Sequence, residues 1–449
     1  MEKVKEPSVA GTFYSNDTIN LIKEIDAIRK EAKNFYKTTS RAVIVPHAGF
    51  VFSGKLAYEG ISILDKRIKN LFIIAPSHNV SFDGLALSGF EKWKTPLGEV
   101  EVNQELNKEL IEKYGAAVND DAMAPEHSLE VQLPLIQDVF DGVKIVPILV
   151  GKARPEDIEK IISDYYPNQD NGFVISSDLS HFFDEENEKQ MDFNAAMMIE
   201  SGDIRNFQYE MACGAIGITG LVEFANKNRF SLIRVGLSNS AKINNDKSRV
   251  VGYGSWFLYE GDKNELIGKY HTDFVIGLCK TVIESAIKKI DLTIVYPQVF
   301  DQPGACFVTI EQNGQLRGCI GSIVANRPLV NDIIENARNA AFKDTRFKPI
   351  TAEDLNQLKV SVSILTEPRR IFFSSEEDLL NQITANLDGL IIKDGNKQAV
   401  YLPSVWEVIP DKREFLNALK VKAGLAPDYF SNTFEAYRFE TIYIQEGQV

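Results

Sequence analysis

Three apolar runs in the first half of the chain each end in a histidine. Val43-Ile44-Val45 stops at Pro46 and His47. Leu71-Phe72-Ile73-Ile74-Ala75 stops at Pro76, Ser77 and His78. Phe173-Val174-Ile175 runs into Ser176, Ser177 and Asp178, and then Ser180 and His181. Short β-branched runs bounded by proline or small polar residues predict parallel strands buried on both faces. Open α/β sheets build their ligand sites beyond the carboxyl ends of such strands. The three strand ends are therefore expected to converge on one pocket.

The segments between them read as helices. Leu21, Ile22, Ile25 and Ile28 recur at helical spacing behind Ser15 or Asp17, either of which can cap. Residues 54–64 and 104–114 are also predicted helical, and Pro134 should divide the helical stretch that opens near Glu126. Lys144 to Val150 is a further buried strand, Met211 to Gly217 a glycine-rich approach to a helix, and 232–237 and 250–258 are strands. Strands alternating with helices predict a three-layer α/β domain over 1–260. Residues 261–269 are polar and unpatterned and are read as a linker. Over 270–449 the pattern changes to α+β. It comprises an amphipathic helix from Phe274 to Ile290, a hairpin at Asn313-Gly314, a helix at 329–342 and strands near 360–365, 390–393 and 398–402.

A chain of 449 residues exceeds one ordinary core, so two or more domains are expected. The formal net charge of −14, with no basic cluster interleaved with aromatics, argues against a nucleic-acid partner. No apolar run approaches the roughly 20 residues a membrane helix needs, and Met1 to Pro7 lacks the apolar stretch of a signal peptide. A cytoplasmic location with no membrane partner is the expectation. The four cysteines are far apart and form no C-x-x-C, so neither a cluster site made by this chain alone nor a disulfide scaffold is expected.

His47, His78, His127 and His181 are the residues best suited to metal ligation or proton transfer near neutral pH. Their spacing matches no local metal motif, so the fold must assemble any site. Asp178 can orient an imidazole or cap the segment after it. Glu126 and Glu130 flank His127 and can serve the site or simply favour a helix N-terminus. Cys213, ahead of a helix, reads from the residues alone as a small buried cysteine packed against glycines. In the second domain Arg317-Gly318-Cys319 places a cation beside a thiol, which can lower its pKa; a strand cysteine between bulge glycines is the ordinary explanation. His271 is read as solvated.

Residues 5 to about 260 resemble the Memo family through PSVAGTFYSND, VPHAGFVFSG, APSHN, EHSLEVQLP, SSDLSHF and ACGAIG. Residues from about 268 to 445 resemble the AMMECR domain through LRGCIGSI, DTRFKPIT, VSVSIL, YLPSVW and FLNALKVKAGL. The Memo resemblance implies the fold of the class III extradiol dioxygenases. Its motif puts metal ligands on His47, His78 and Cys213, which overrides the packing reading of Cys213. The resemblance to the iron-holding dioxygenases implies Fe(II) first, and a thiolate, softer than their glutamate, makes Cu(I) or another transition metal fit as well. The resemblance also implies pocket roles for His181 and His127, with Asp178 and Glu126 beside them, and a radical S-adenosylmethionine protein as a partner in trans. Arg317 and Cys319 lie in the second domain's signature. The expected function is a metal-dependent, dioxygenase-like oxidoreductase acting on a small organic substrate. The alternatives are a non-catalytic peptide- or metabolite-binding module and a protein that sequesters iron or copper. The sequence does not fix the oligomeric state.

Overall fold

In the computed structural model, which describes residues 3–33, 36–366 and 368–447, the apolar runs of the first half lie side by side as parallel strands. Ala42–Val45, Asn171–Ser176, Asn70–Pro76 and Lys144–Val150 follow one another across the sheet in that order. Antiparallel strands extend it on both sides. Leu85–Leu87 pairs with Lys144–Val150, and Val250–Tyr259 pairs with Ala42–Val45. Ser231–Asn239 and His181–Phe183 in turn pair with Val250–Tyr259.

Alternation along the parallel strands fills two cores. Ile44, Phe72, Ile74, Ile148, Phe173 and Ile175 share one cluster with Ile158, Ile161 and Ile162 of helix Pro155–Tyr165 and Ile218, Leu221 and Val222 of helix Ala215–Asn228. Each such side chain contributes about 1.5–3 kcal/mol on burial. The opposite face receives helix Lys55–Ile61, which passes so close that a Cβ at Gly60 would lie 2.7 Å from Val45 Cγ1. Helices thus cover both faces, the three-layer arrangement that the sequence pattern predicts. Register pairs Val45 with Ser176 and Ile74 with Ile175. The turns carrying His47, Asp178 and His78 therefore leave the sheet along one edge.

The local departures have local causes. The expected helix at 54–64 starts earlier, with a π-helical turn over Phe50–Gly54 before the α-helix. Such turns recur near functional sites. Pro134 does separate two pieces, His127–Glu130 and Leu133–Val139, and sits in the first turn of the second. The third apolar run ends at Ser176; His181 does not belong to that strand end but opens the short edge strand His181–Phe183. A bulge there leaves Phe182 at φ 68°, with its ring under the Arg249 guanidinium, 4.2 Å from centroid to Cζ.

The chain divides into two units, residues 1–263 with Pro297–Val299, and Asn264–Tyr296 with Phe300–Val449. The stretch read as a linker is helical over Lys263–Tyr270, because Leu266 and Ile267 give it a buried side. The second unit is α+β. One antiparallel sheet has the order Gln315–Gly321, Ala305–Gln312, Leu358–Leu365, Thr441–Gln445. The other has Arg369–Ile371, Glu435–Phe439, Gly389–Asp394, Lys397–Tyr401. The Asn313-Gly314 turn has φ of 55° and 76°, the positive pair a type I′ hairpin requires. His271 is buried against Phe300 rather than solvated, since helix Thr272–Lys288 starts beside it.

Candidate functional site

His47 leaves its strand fully buried, and its backbone N–H donates to Asp178 Oδ1 at 2.8 Å. Its Nδ1 lies 3.0 Å from Ser176 Oγ. The Ser176 hydroxyl gives its single proton to the Ser128 carbonyl at 2.6 Å and accepts from the Gln132 amide at 2.9 Å. Its remaining lone pair can only accept, so the network makes His47 Nδ1 the donor. That leaves the Nε2 lone pair of His47 free, and Cys213 Sγ is 3.3 Å from it.

Glu126 performs the same service for two rings at once. Its Oε1 is 2.9 Å from His78 Nδ1 and 3.2 Å from His127 Nδ1, and its Oε2 accepts the His78 backbone N–H at 2.7 Å. Burial alone would raise this carboxyl, but hydrogen bonds from His127 and His78 outweigh it and hold the group well below the usual carboxylate range. An ionised carboxylate only accepts, so both Nδ1 atoms donate, and Nε2 is the atom through which each ring would bind a metal. Carboxylate-held imidazoles of this kind are the usual support of metal-ligand histidines. His47, His78 and His127 each offer a ligand atom, and these lie within 4.8 Å of one another.

Cys213 reaches the cluster because Gly214 lets the chain press on the strand end. A Cβ there would stand 2.6 Å from Ser177 Cβ, while the Gly214 N–H donates to Ser177 Oγ at 2.8 Å. Burial and then the charge of Asp178 push the thiol up to about 12. Burial and then the neighbouring His78 and His127 hold His47 well below the ordinary imidazole value. Asp178, raised to about 6 by burial, holds the backbone of the His47 turn rather than a ring nitrogen.

The structure sorts the remaining sequence candidates. His181 stands on the edge strand outside the three-imidazole set, and burial lowers its pKa. Glu130 points away from the site. It accepts from Lys5 Nζ at 2.6 Å, the Ser8 and Val9 backbone and the Tyr14 hydroxyl, pinning the leading segment. In the second unit Thr309 Oγ1 lies 3.3 Å from Cys319 Sγ, while the Arg317 guanidinium donates to the carbonyls of Lys348 and Pro349. Gly318 is explained by packing, since a Cβ would meet the Ala340 carbonyl oxygen at 2.1 Å. Ser176, Ser128 and Gln132 are the supporting residues that sequence reasoning overlooked. The available signal was a serine closing an otherwise apolar strand and a glutamine five residues after His127.

The donor set suits a transition metal. Three imidazoles and a thiol favour ions softer than magnesium or calcium, which prefer oxygen. His47 Nε2 and Cys213 Sγ, 3.3 Å apart, are near enough that both would hold one ion. When bound, such an ion would supply Lewis-acid and redox chemistry.

The comparisons with known proteins agree with the two units. The family "Memo-like protein" matches residues 5–257, and the family "AMMECR1" matches residues 276–444. A MEMO1 family protein of Aquifex aeolicus is 32% identical over 272 residues, covering 57% of this chain and all of the relative. Protein MJ0810 of Methanocaldococcus jannaschii is 37% identical over 183 residues, 38% of this chain and 89% of its own length. The solved structure of the uncharacterized protein PH0010 from Pyrococcus horikoshii matches at 32% identity and a TM-score of 0.35, over 38% of this chain and 88% of that one. The chain therefore belongs to the Memo-like family and carries, in the same polypeptide, an AMMECR1 domain behind its Memo-like one.

Proposed function

We propose that the Memo-like domain is a metal-dependent oxidoreductase, related in fold and in kind of chemistry to the class III extradiol dioxygenases, acting on a small organic substrate. The observation that carries this reading is the hydrogen-bonded arrangement of the three imidazoles. Each Nδ1 is tied to Glu126 or Ser176, and each ring offers a ligand atom within 4.8 Å of the others. His47, His78 and His127 would hold the ion, and Cys213 would join them as thiolate. Iron(II) is the proposed metal, with copper(I) the alternative that the sulfur favours.

The chain's own groups then divide the work. Glu126 and Ser176 fix ring orientation, and Asp178 holds the His47 turn against the sheet. His181, lowered by burial and outside the ligand set, is neutral near pH 7 and serves as the acid–base group. A radical S-adenosylmethionine protein belongs to the same proposal through the family resemblance, and it would act in trans because the four cysteines here form no cluster-binding motif.

The test is metal analysis of protein purified without oxygen. We expect one iron or copper per chain, lost in His47→Ala and Cys213→Ala, and oxygen uptake with a suitable organic substrate. Protein that stays metal-free after reconstitution with both ions would refute the reading. Stoichiometric copper that exchanges rapidly, with no oxygen consumed, would favour sequestration instead.

A further inference from the structure

Helix Glu185–Ser201 buries two carboxyls one turn apart, Glu188 and Asp192, 2% and 4% exposed. Residues four apart share a helix face, and this helix packs on strands Ser231–Asn239 and Val250–Tyr259. Glu188 Oε2 accepts the Asn239 amide at 2.8 Å, and Asp192 Oδ1 accepts the Ser180 N–H at 3.1 Å. Asp192 Oδ2 is buried and, with both carboxyls ionised, finds no partner among the described residues. What its carboxyl meets is the carboxyl of Glu188. Two carboxyls in contact in a buried site do not both ionise, and a proton between them turns repulsion into a hydrogen bond.

Among the described residues no cation pairs with either group. Lys189 and Lys247 are spent on Glu185, Arg234 on Glu200 and Lys227 on Glu159, while Arg249 lies over the Phe182 ring. Burial, then Asp178 and Glu188, keep Tyr253 a neutral phenol, and burial keeps His181 neutral near pH 7. Burial, and then the Glu188 carboxyl, raise Asp192 to about 8, against the opposing pull of the Ser180 hydroxyl and N–H.

The pair holds the turn between Asp178 and His181. Leu179 N–H donates to the Gly252 carbonyl at 2.8 Å, and Gly252 N–H donates to the Ser180 carbonyl at 2.9 Å. A Cβ at Gly252 would run into Asp192 Oδ2, so the strand backbone lies directly on the carboxyl. Asp192 and Gly252 thus grip the segment just ahead of the edge strand His181–Phe183.

We propose that Glu188 and Asp192 share one proton and act as a latch: its loss to solvent sets the two carboxylates apart, releases the Ser180 N–H and loosens the segment that carries His181. The latch itself needs no metal; only its consequence for acid–base chemistry rests on the role given to His181 above. The closed latch binds a proton that the opened, hydrated pair gives up. Closure is therefore strongest at acid pH and weakens as pH rises from the ordinary carboxylate range through about 8.

Hydrogen exchange of the metal-free full chain is followed by mass spectrometry from about pH 6 to 9, each rate corrected for intrinsic exchange. Protection of residues 180–183 should fall about tenfold per pH unit up to near pH 8 and then level off, while strand Lys144–Val150 shows no such slope. In Asp192→Asn the amide still accepts from Ser180 and donates to Glu188, and in Glu188→Gln the amide donates to Asp192. In each the segment should stay protected across the range. Protection indifferent to pH in wild type, a slope shared by the whole chain, or the same slope in either folded variant would overturn the proposal. Should neither variant fold, the wild-type slope and its confinement to this segment decide. A local slope in protein that never takes up metal would uphold the latch and remove the metal reading.

Discussion

Glu126 holds two imidazoles on one carboxylate, so the site can be loosened there without removing a ligand. Glu126→Gln removes the charge and offers one Nδ1–H an amide donor instead of an acceptor. Metal affinity should fall about 10- to 100-fold with the fold intact, as read by competition titration beside a thermal scan. Glu130, four residues on, is a structural counterpart whose role is read by pH. Burial raises its carboxyl, but the Lys5 ammonium and backbone donors win and hold it below its ordinary value of 4.5. Its stabilisation is therefore present above that value and lost as pH falls through the depressed folded value. Glu130→Gln leaves Lys5 buried without a counter-charge. It should cost about 3–5 kcal/mol near neutral pH and flatten the acid limb of the stability curve, both measurable by urea unfolding. His47 and His78 were legible as residues, because polar side chains ending apolar strands are conspicuous, whereas His127 opens a helix. Their supports were not. Nothing in a serine at 176 or a glutamine at 132 announces that the glutamine amide donates to the serine hydroxyl that faces His47 Nδ1, since strand register and helix packing decide that.

Among the elements, short-range chemistry made some features readable in advance. Asn313-Gly314 specifies its own turn through positive φ, and Pro134, excluded from a helix interior, is accepted in the first turn of Leu133–Val139. The helix over Lys263–Tyr270 was not readable, because Leu266 and Ile267 alone give it an apolar side and packing supplies the rest. The edge strand His181–Phe183 was likewise hidden, since its pairing partner lies nearly 70 residues later. Two substitutions probe these elements. Gly318→Ala drives a Cβ into the Ala340 carbonyl of helix Leu329–Phe342, where a backbone must move. It should destabilise the AMMECR1 unit by about 1–3 kcal/mol, seen as a lower melting temperature. Phe182→Gly relieves the positive φ at the bulge, a strain of order 1 kcal/mol, at the loss of a half-exposed ring. Stability near or above wild type by denaturant unfolding would show that the bulge, rather than the ring, sets the backbone beside His181.

At the scale of the whole molecule, every residue assigned to the proposed metal site lies between His47 and Cys213, within the first unit. A fragment of residues 1–263 should therefore bind metal with the stoichiometry of the full chain, checked by metal analysis after size exclusion. The amino-acid sequence by itself determined the layered architecture, the change of pattern near residue 260 and the histidines at strand ends, because periodicity and turn chemistry act over a few residues. It also carried the family resemblance, spread over many short motifs. Tertiary structure alone decided which imidazoles meet and what holds each Nδ1. Those outcomes depend on parallel register, on Gly214 admitting Cys213 to the strand end and on a helix placing Glu126 between two rings. These are contacts between segments tens to more than a hundred residues apart.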